Sequence, residues 1–133
     1  MDSLNRKAAF VTGAASGIGL GITEALVAQG ARVMMVDIDG DELAHAADRL
    51  RAEGADIATA VADVSVRADL QRAADQMVEA FGGADILINN AGVGGGGPFE
   101  RWNDKGWDWT VGVNLLVARI DAFEKDKNAL VVT

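Results

Sequence analysis

The chain has 133 residues, with 12 basic side chains against 20 acidic ones and a formal net charge of -8. Such a field repels phosphodiester backbones and anionic lipid surfaces, which excludes nucleic acid and membrane surfaces as expected partners. With 50% apolar and 24% charged residues, 16 glycines, one proline and no cysteine, the composition fits one globular α/β domain over residues 1–133, without disulfide or thiolate chemistry.

Arg6 and Lys7 precede an apolar stretch that Gly13, Ser16, Gly17 and Gly19 interrupt, so it is not a secretion signal. No run reaches the roughly 18 apolar residues of a membrane span, and a cytoplasmic protein is expected. Ala8 to Thr12 reads as a buried strand ending in glycine-rich punctuation. A helix follows, with Ile18, Ile22 and Leu26 as its apolar stripe and Gly30 as its stop. Val33 to Val36 is a second strand, ending at Asp37.

Asp41 is the expected cap of a second helix through Leu43, Ala46, Ala47 and Leu50, closed by Gly54. Ile57 to Ala62 is the third strand. Ser65 is the expected cap of a third helix carrying Val66, Leu70, Met77 and Phe81, with Gly82 and Gly83 after it. Ile86 to Ile88 makes the fourth strand. Beyond the Gly94 to Gly97 loop, Trp107 through Leu116 towards Phe123 reads as a helix and Ala129 to Val132 as a fifth strand. This alternation yields a parallel, doubly wound sheet covered on both faces. The last strand is apolar to its end, and truncation of a longer domain is the simplest reading.

Thr12-Gly13-Ala14-Ala15-Ser16-Gly17-Ile18-Gly19 lies between the first strand and the first helix. A phosphate-binding turn belongs there: glycines let the backbone approach a pyrophosphate, and the helix N-terminus offers unpaired N–H groups and a positive dipole end. Asp37, at the end of the second strand, stands where a carboxylate accepts both ribose hydroxyls of an adenosine and repels an added 2′-phosphate. Neither Ser16 nor Asp37 is an arginine, so NAD is expected over NADP, with Arg32 the nearby cation that bears on this choice.

With these residues assembled, the sequence resembles the short-chain dehydrogenase/reductase family. Gly13, Gly17 and Gly19 match its glycine pattern. Asp63-Val64 resembles its adenine-contacting pair, Asn89-Asn90-Ala91-Gly92 its signature after the fourth strand, and Asn114 the helix asparagine of its catalytic set. The resemblance implies a three-layer Rossmann sheet of order 3-2-1-4-5, cut after the fifth strand. It also implies a cofactor site of Gly13, Ser16, Gly17, Ile18, Gly19, Asp37, Asp63, Val64, Asn90, Ala91 and Gly92. The implied activity is hydride transfer between nicotinamide and a secondary alcohol or ketone.

Family members are considerably longer than this chain. Their serine positions the substrate, a tyrosine transfers the proton, and a lysine four positions later lowers the tyrosine pKa and binds the nicotinamide ribose. The sequence has no tyrosine, and Lys7, Lys105, Lys125 and Lys127 stand outside any Tyr-x-x-x-Lys context. The expectation is a chain that binds NAD but is nearly inactive. The alternatives are a non-catalytic nucleotide-binding module and a folding fragment without a ligand. The polar run from Asp121 to Asn128 suggests an early helix exit, shorter than the family's usual segment.

The remaining features have plainer readings. His45, the only histidine, lies among alanines and acids and is expected at or near the surface. Trp102, Trp107 and Trp109 are assigned to packing, and no metal site is expected. Asp41 and Glu42 suit the positive end of a helix, while Asp121, Glu124 and Asp126 alternate with lysines as a solvated face does. Leu130, Val131 and Val132 on an unpaired edge predict self-association, leaving a homo-oligomer open.

Overall fold

The structure, a computed structural model, describes residues 4–91 and 130–132. The elements in chain order are β1 (Ala8–Thr12), α1 (Gly17–Ala28), β2 (Arg32–Asp37), α2 (Gly40–Ala52), β3 (Ile57–Val61), α3 (Arg67–Phe81), β4 (Ile86–Ile88) and β5 (Leu130–Val132). The helix expected from Trp107 towards Phe123, the tryptophans, the late acidic cluster, Gly92 and Asn114 lie outside the described residues.

The strands form one parallel sheet in the order β3-β2-β1-β4-β5, as the resemblance implies. From β1 the chain winds outward through β2 and β3, then returns to the other side of β1 as β4. The reversal between β1 and β4 opens a crevice beyond their carboxyl ends, where α/β sheets bind ligands.

All five β1 residues are buried, as a strand covered on both faces requires. Alternation sorts them. Ala8 and Phe10 join Met34 and Val36 under Leu70, Ala73, Ala74 and Met77 of α3. Ala9 and Val11 join Val33 and Met35 under Leu43, Ala46, Ala47 and Leu50 of α2, with Leu20, Ile22, Leu26 and Val27 of α1 packed alongside. Burying a large side chain such as Phe10 or Met77, both 0% exposed, is worth about 1.5–3 kcal/mol. These two clusters therefore fix the strands whose ends carry the crevice.

Three local readings are corrected. Asp39, not Asp41, caps α2: its side chain accepts a hydrogen bond from the Glu42 N–H at 3.0 Å, which puts Asp41 and Glu42 in the first turn instead. Val66, not Ser65, occupies the cap position of α3. Both the N–H and the hydroxyl of Ser65 donate to Asp63 Oδ1, at 2.9 and 2.6 Å, so Ser65 is used in the preceding turn. Ile18 is 76% exposed and takes no part in the apolar stripe of α1; that helix packs instead through Leu20, Ile22, Leu26 and Val27. Among the described residues, no helix is long and apolar enough to cross a membrane.

Candidate functional site

The turn from Thr12 to Gly19 joins the carboxyl end of β1 to the amino end of α1. Gly17 opens the helix with φ at +57°, and a Cβ built there would meet nothing within 4 Å. A side chain is therefore disfavoured by backbone conformation while the space outside the turn stays open. Gly19 has the opposite constraint: a Cβ there would collide with the Gly13 carbonyl oxygen and with Asn90 Nδ2. Its missing side chain lets α1 approach β1 and the segment after β4.

Helix starts leave backbone N–H groups unpaired, and side-chain caps normally satisfy some of them. At α1 the Ser16 side chain makes no cap bond and no acid occupies the first turn. Among the described residues, its first bonded N–H after the cap is that of Leu20, which donates to the Ser16 carbonyl at 3.2 Å. Ser16, Gly17 and Ile18 are all exposed at this end. The contrast with α2, capped by Asp39 and carrying two acids, is a contrast in what each helix end can attract.

Asp37 ends β2 beside this turn. Its Oδ2 accepts from the Ala15 N–H and its Oδ1 from the Asp39 N–H, both at 3.0 Å. The carboxylate thus joins the glycine turn to the start of α2, with half of its four acceptor positions in use. Arg32 is at the other end of the same strand, roughly 16 Å away by strand rise. There its Nε donates to the Arg6 carbonyl and its guanidinium lies 5.1 Å from the Phe81 ring centre. Arg32 is accordingly no neighbour of the Asp37 carboxylate.

The third strand delivers Asp63 and Val64. Asp63 Oδ1 is engaged by Ser65, and the Asp63 N–H donates to Asp69 Oδ2 at 2.9 Å. That hydrogen bond, followed by one from Arg72, holds the Asp69 carboxyl below its ordinary value. Val64 is 7% exposed and belongs to the cluster under α3, which anchors the backbone at this point.

The segment after β4 is attached through Thr12, whose part sequence reasoning missed. The Thr12 side chain is fully buried. Its Oγ1 accepts from the Asn90 N–H at 3.1 Å and the Ala91 N–H at 3.0 Å, and its hydroxyl donates to the Ile88 carbonyl at 3.4 Å. Asn90 Nδ2 in turn donates to the Gly13 carbonyl at 3.3 Å. A hydroxyl where a buried strand would otherwise favour valine was the available signal. The side-chain amide of Asn89 is buried, and neither of its polar atoms has a hydrogen-bond partner among the described residues.

The structure thus brings Gly13, Ser16, Gly17, Ile18, Gly19, Asp37, Asn90 and Ala91 together at one end of the sheet, with Asp63 and Val64 following the adjacent edge strand. A shallow groove of about 340 Å³ between α1 and α2 adjoins the turn, lined in part by Ala15, Leu20, His45 and Arg49. His45 is exposed, as expected. Among the described residues, no group of three or more His, Cys, Asp or Glu could hold a metal ion.

The short chain dehydrogenase family model matches residues 7–119. The 1-deoxy-11-beta-hydroxypentalenate dehydrogenase of Streptomyces avermitilis is 45% identical over 100 residues, 75% of this chain and 37% of that protein. The D-beta-hydroxybutyrate dehydrogenase of Cupriavidus necator is 38% identical over 115 residues, 86% of this chain and 45% of that protein. Among solved structures, a short chain dehydrogenase/reductase from Burkholderia phymatum in complex with NAD superposes with a TM-score of 0.86 at 39% identity, covering 89% of this chain and 42% of that one. The L-sorbose reductase from Gluconobacter frateurii, complexed with NADPH and L-sorbose, gives a TM-score of 0.83 at 32% identity, with 89% and 46% covered. The chain therefore spans less than half the length of these relatives. Glycine turn, strand-end carboxylate, sheet order and family match agree, and the chain belongs to the short chain dehydrogenase family.

Proposed function

We propose that the crevice beyond β1, β2 and β4 binds a nicotinamide adenine dinucleotide, NAD in preference to NADP, and that residues 1–133 act as a dinucleotide-binding unit. The carrying observation is the uncapped start of α1 beside the Asp37 carboxylate: N–H groups with no side-chain cap among the described residues, next to an acid with acceptor capacity left. One suits a pyrophosphate and the other two ribose hydroxyls.

In this reading Gly13, Ser16, Gly17, Ile18 and Gly19 surround the pyrophosphate, with Gly17 contributing open space and Gly19 close packing. Asp37 holds the adenosine ribose, and its charge, with Arg32 engaged far along the strand, disfavours a 2′-phosphate. Asp63 and Val64 border the adenine. Asn90 and Ala91 line the way towards the nicotinamide, and Gly92 is assigned to the same site by family resemblance alone. The bound nicotinamide would supply the hydride donor or acceptor for a secondary alcohol or ketone. The chain's own residues bind and orient it.

Asn114 is proposed as a member of the catalytic set by family resemblance alone. With no tyrosine in the sequence, the family's proton-transferring side chain is missing from this chain. General acid–base assistance is worth about 10²–10⁴ in rate, so the chain should bind cofactor far better than it turns substrate over. Calorimetric titration with NAD and NADP, beside NADH consumption with a panel of ketones, tests this. The expected result is NAD binding at least about tenfold tighter than NADP, with almost no consumption. No heat at millimolar NAD would overturn the binding proposal. Equal affinity for NADP would overturn only the part given to Asp37, and brisk turnover would overturn only the expected inactivity.

A further inference from the structure

β3 is an edge of the described sheet. Its pairing with β2 is parallel, and the ladder bonds at its two ends are Val33 N–H to the Asp56 carbonyl and Ala62 N–H to the Asp37 carbonyl. Backbone groups alternate sides along a strand, so the even-numbered residues from 56 to 62 face β2. The N–H and carbonyl groups of Ile57, Thr59 and Val61 consequently point away from the sheet. Such a row is a template for pairing with another extended chain.

The outward carbonyls at both ends of that row are occupied. Arg51, in the last turn of α2, donates from Nε to the Ile57 carbonyl at 3.1 Å. Arg72 of α3 donates from Nη2 to the Val61 carbonyl at 2.7 Å. The two helices lie on opposite faces of the sheet, so one guanidinium arrives from each side. Each is steadied by an acid on its own helix, Arg51 by Asp48 at 3.4 Å and Arg72 by Asp69 at 3.1 Å. Only the Thr59 carbonyl stands between the two caps, too few acceptors to nucleate a strand ladder.

We propose that Arg51 and Arg72 guard the β3 edge, and that without them this edge pairs with the β3 edge of a second copy. Antiparallel pairing about a two-fold axis at Thr59 makes the two Thr59 residues a hydrogen-bonded pair, with Cα atoms about 5.5 Å apart. That spacing is within disulfide range, and the absence of native cysteine makes a single Thr59→Cys reporter unambiguous. Methionine in place of each arginine keeps an unbranched stem and removes the donors.

In the Thr59→Cys background, the Arg51→Met/Arg72→Met pair should form disulfide-linked dimer under mild oxidation about fivefold faster or more than the reporter alone, the factor expected from one hydrogen bond's net contribution. A Glu79→Cys reporter on the exposed side of α3 should not accelerate. Equal acceleration at both reporters means general aggregation and overturns the proposal, as does no acceleration at Thr59→Cys. If the double variant does not fold, Arg51→Met and Arg72→Met are measured singly. Each should then raise the rate at the Thr59→Cys reporter alone, and a failure of both to do so overturns the proposal.

Discussion

Thr12→Val separates a hydrogen-bonding role of this buried residue from a packing one. Valine has nearly the shape of threonine, so it leaves no cavity, but two N–H groups, those of Asn90 and Ala91, lose their acceptor at 3.1 and 3.0 Å. The bond to the Ile88 carbonyl is long at 3.4 Å and adds little. An unsatisfied buried donor costs about 1–3 kcal/mol. Both donors belong to half-buried residues, so water recovers part of the loss and a total of about 2–3 kcal/mol is expected. That is a large share of a typical margin of about 5–15 kcal/mol. Thr12→Ser keeps the oxygen and removes one methyl group, costing about 0.8 kcal/mol. Urea unfolding at constant slope should therefore rank the wild type first, serine second and valine last. If Thr12 mattered only for packing, serine would be the worse of the two, and that order, or a valine variant as stable as wild type, would refute the reasoning.

Gly17→Ala should fold, at a cost of about 1–2 kcal/mol for a left-handed backbone, yet lose NAD affinity at least about tenfold because its methyl enters the space proposed for the pyrophosphate; unchanged affinity in calorimetry would remove that space from the site. Asp37→Ala should weaken NAD binding by about ten- to a hundredfold, the range for hydrogen bonds to a charged group, and weaken NADP binding less; an unaltered ratio would show that the carboxylate does not select the cofactor. Asp69 has a folded pKa lowered from 3.8 by the Asp63 N–H and then Arg72. Its contribution is therefore present above that value and lost as pH falls through the lower, folded one. Melting curves from neutral to about pH 2.5 should show Asp69→Asn less stable than wild type at neutral pH and converging with it in acid, whereas a constant gap would mean that the carboxylate's charge is not what matters.

The alternation of strands and helices was legible because it is written in runs of side chains. β1 is apolar from Ala8 to Val11, and the apolar positions of α2 and α3 recur at helical spacing, so tertiary packing and local pattern agree. The caps were less legible. Asp39 and Asp41 both suit a helix start, and only the reach of the Asp39 side chain to the Glu42 N–H decides between them. Ser65 has the right chemistry for a cap, but Asp63 engages it first. Ile18 was misread for a reason tied to the site. Periodicity assigns an apolar residue at a helix start to the core, whereas here it stands exposed beside the glycine turn. The glycine pattern and Asp37 could be read from sequence because few residue types meet those backbone and charge demands. The hydroxyl of Thr12 was a signal in an otherwise apolar strand, but its partners, the N–H groups of Asn90 and Ala91, are backbone groups distant in sequence that no residue letter encodes.

An acidic chain proposed to hold a dianionic pyrophosphate poses an electrostatic question, since a net charge of -8 opposes the approach of any anion. The turn from Thr12 to Gly19 contains no basic side chain, so point charges within it do not supply the attraction. What it supplies is a set of backbone N–H dipoles at the start of α1, at hydrogen-bonding range of any group seated there. The molecule's net charge acts over longer distances that salt screens beyond about 8 Å. In the proposed site short-range dipoles therefore supply the attraction. The proposed site fits a helix start that carries neither side-chain cap nor acid while α2 carries both: an acid in the first turn of α1 would occupy the donors and repel the proposed phosphates. In the proposed binding mode the negative charge sits instead on Asp37, one strand away, where the proposed group is a neutral sugar and a carboxylate is an acceptor rather than a repellent.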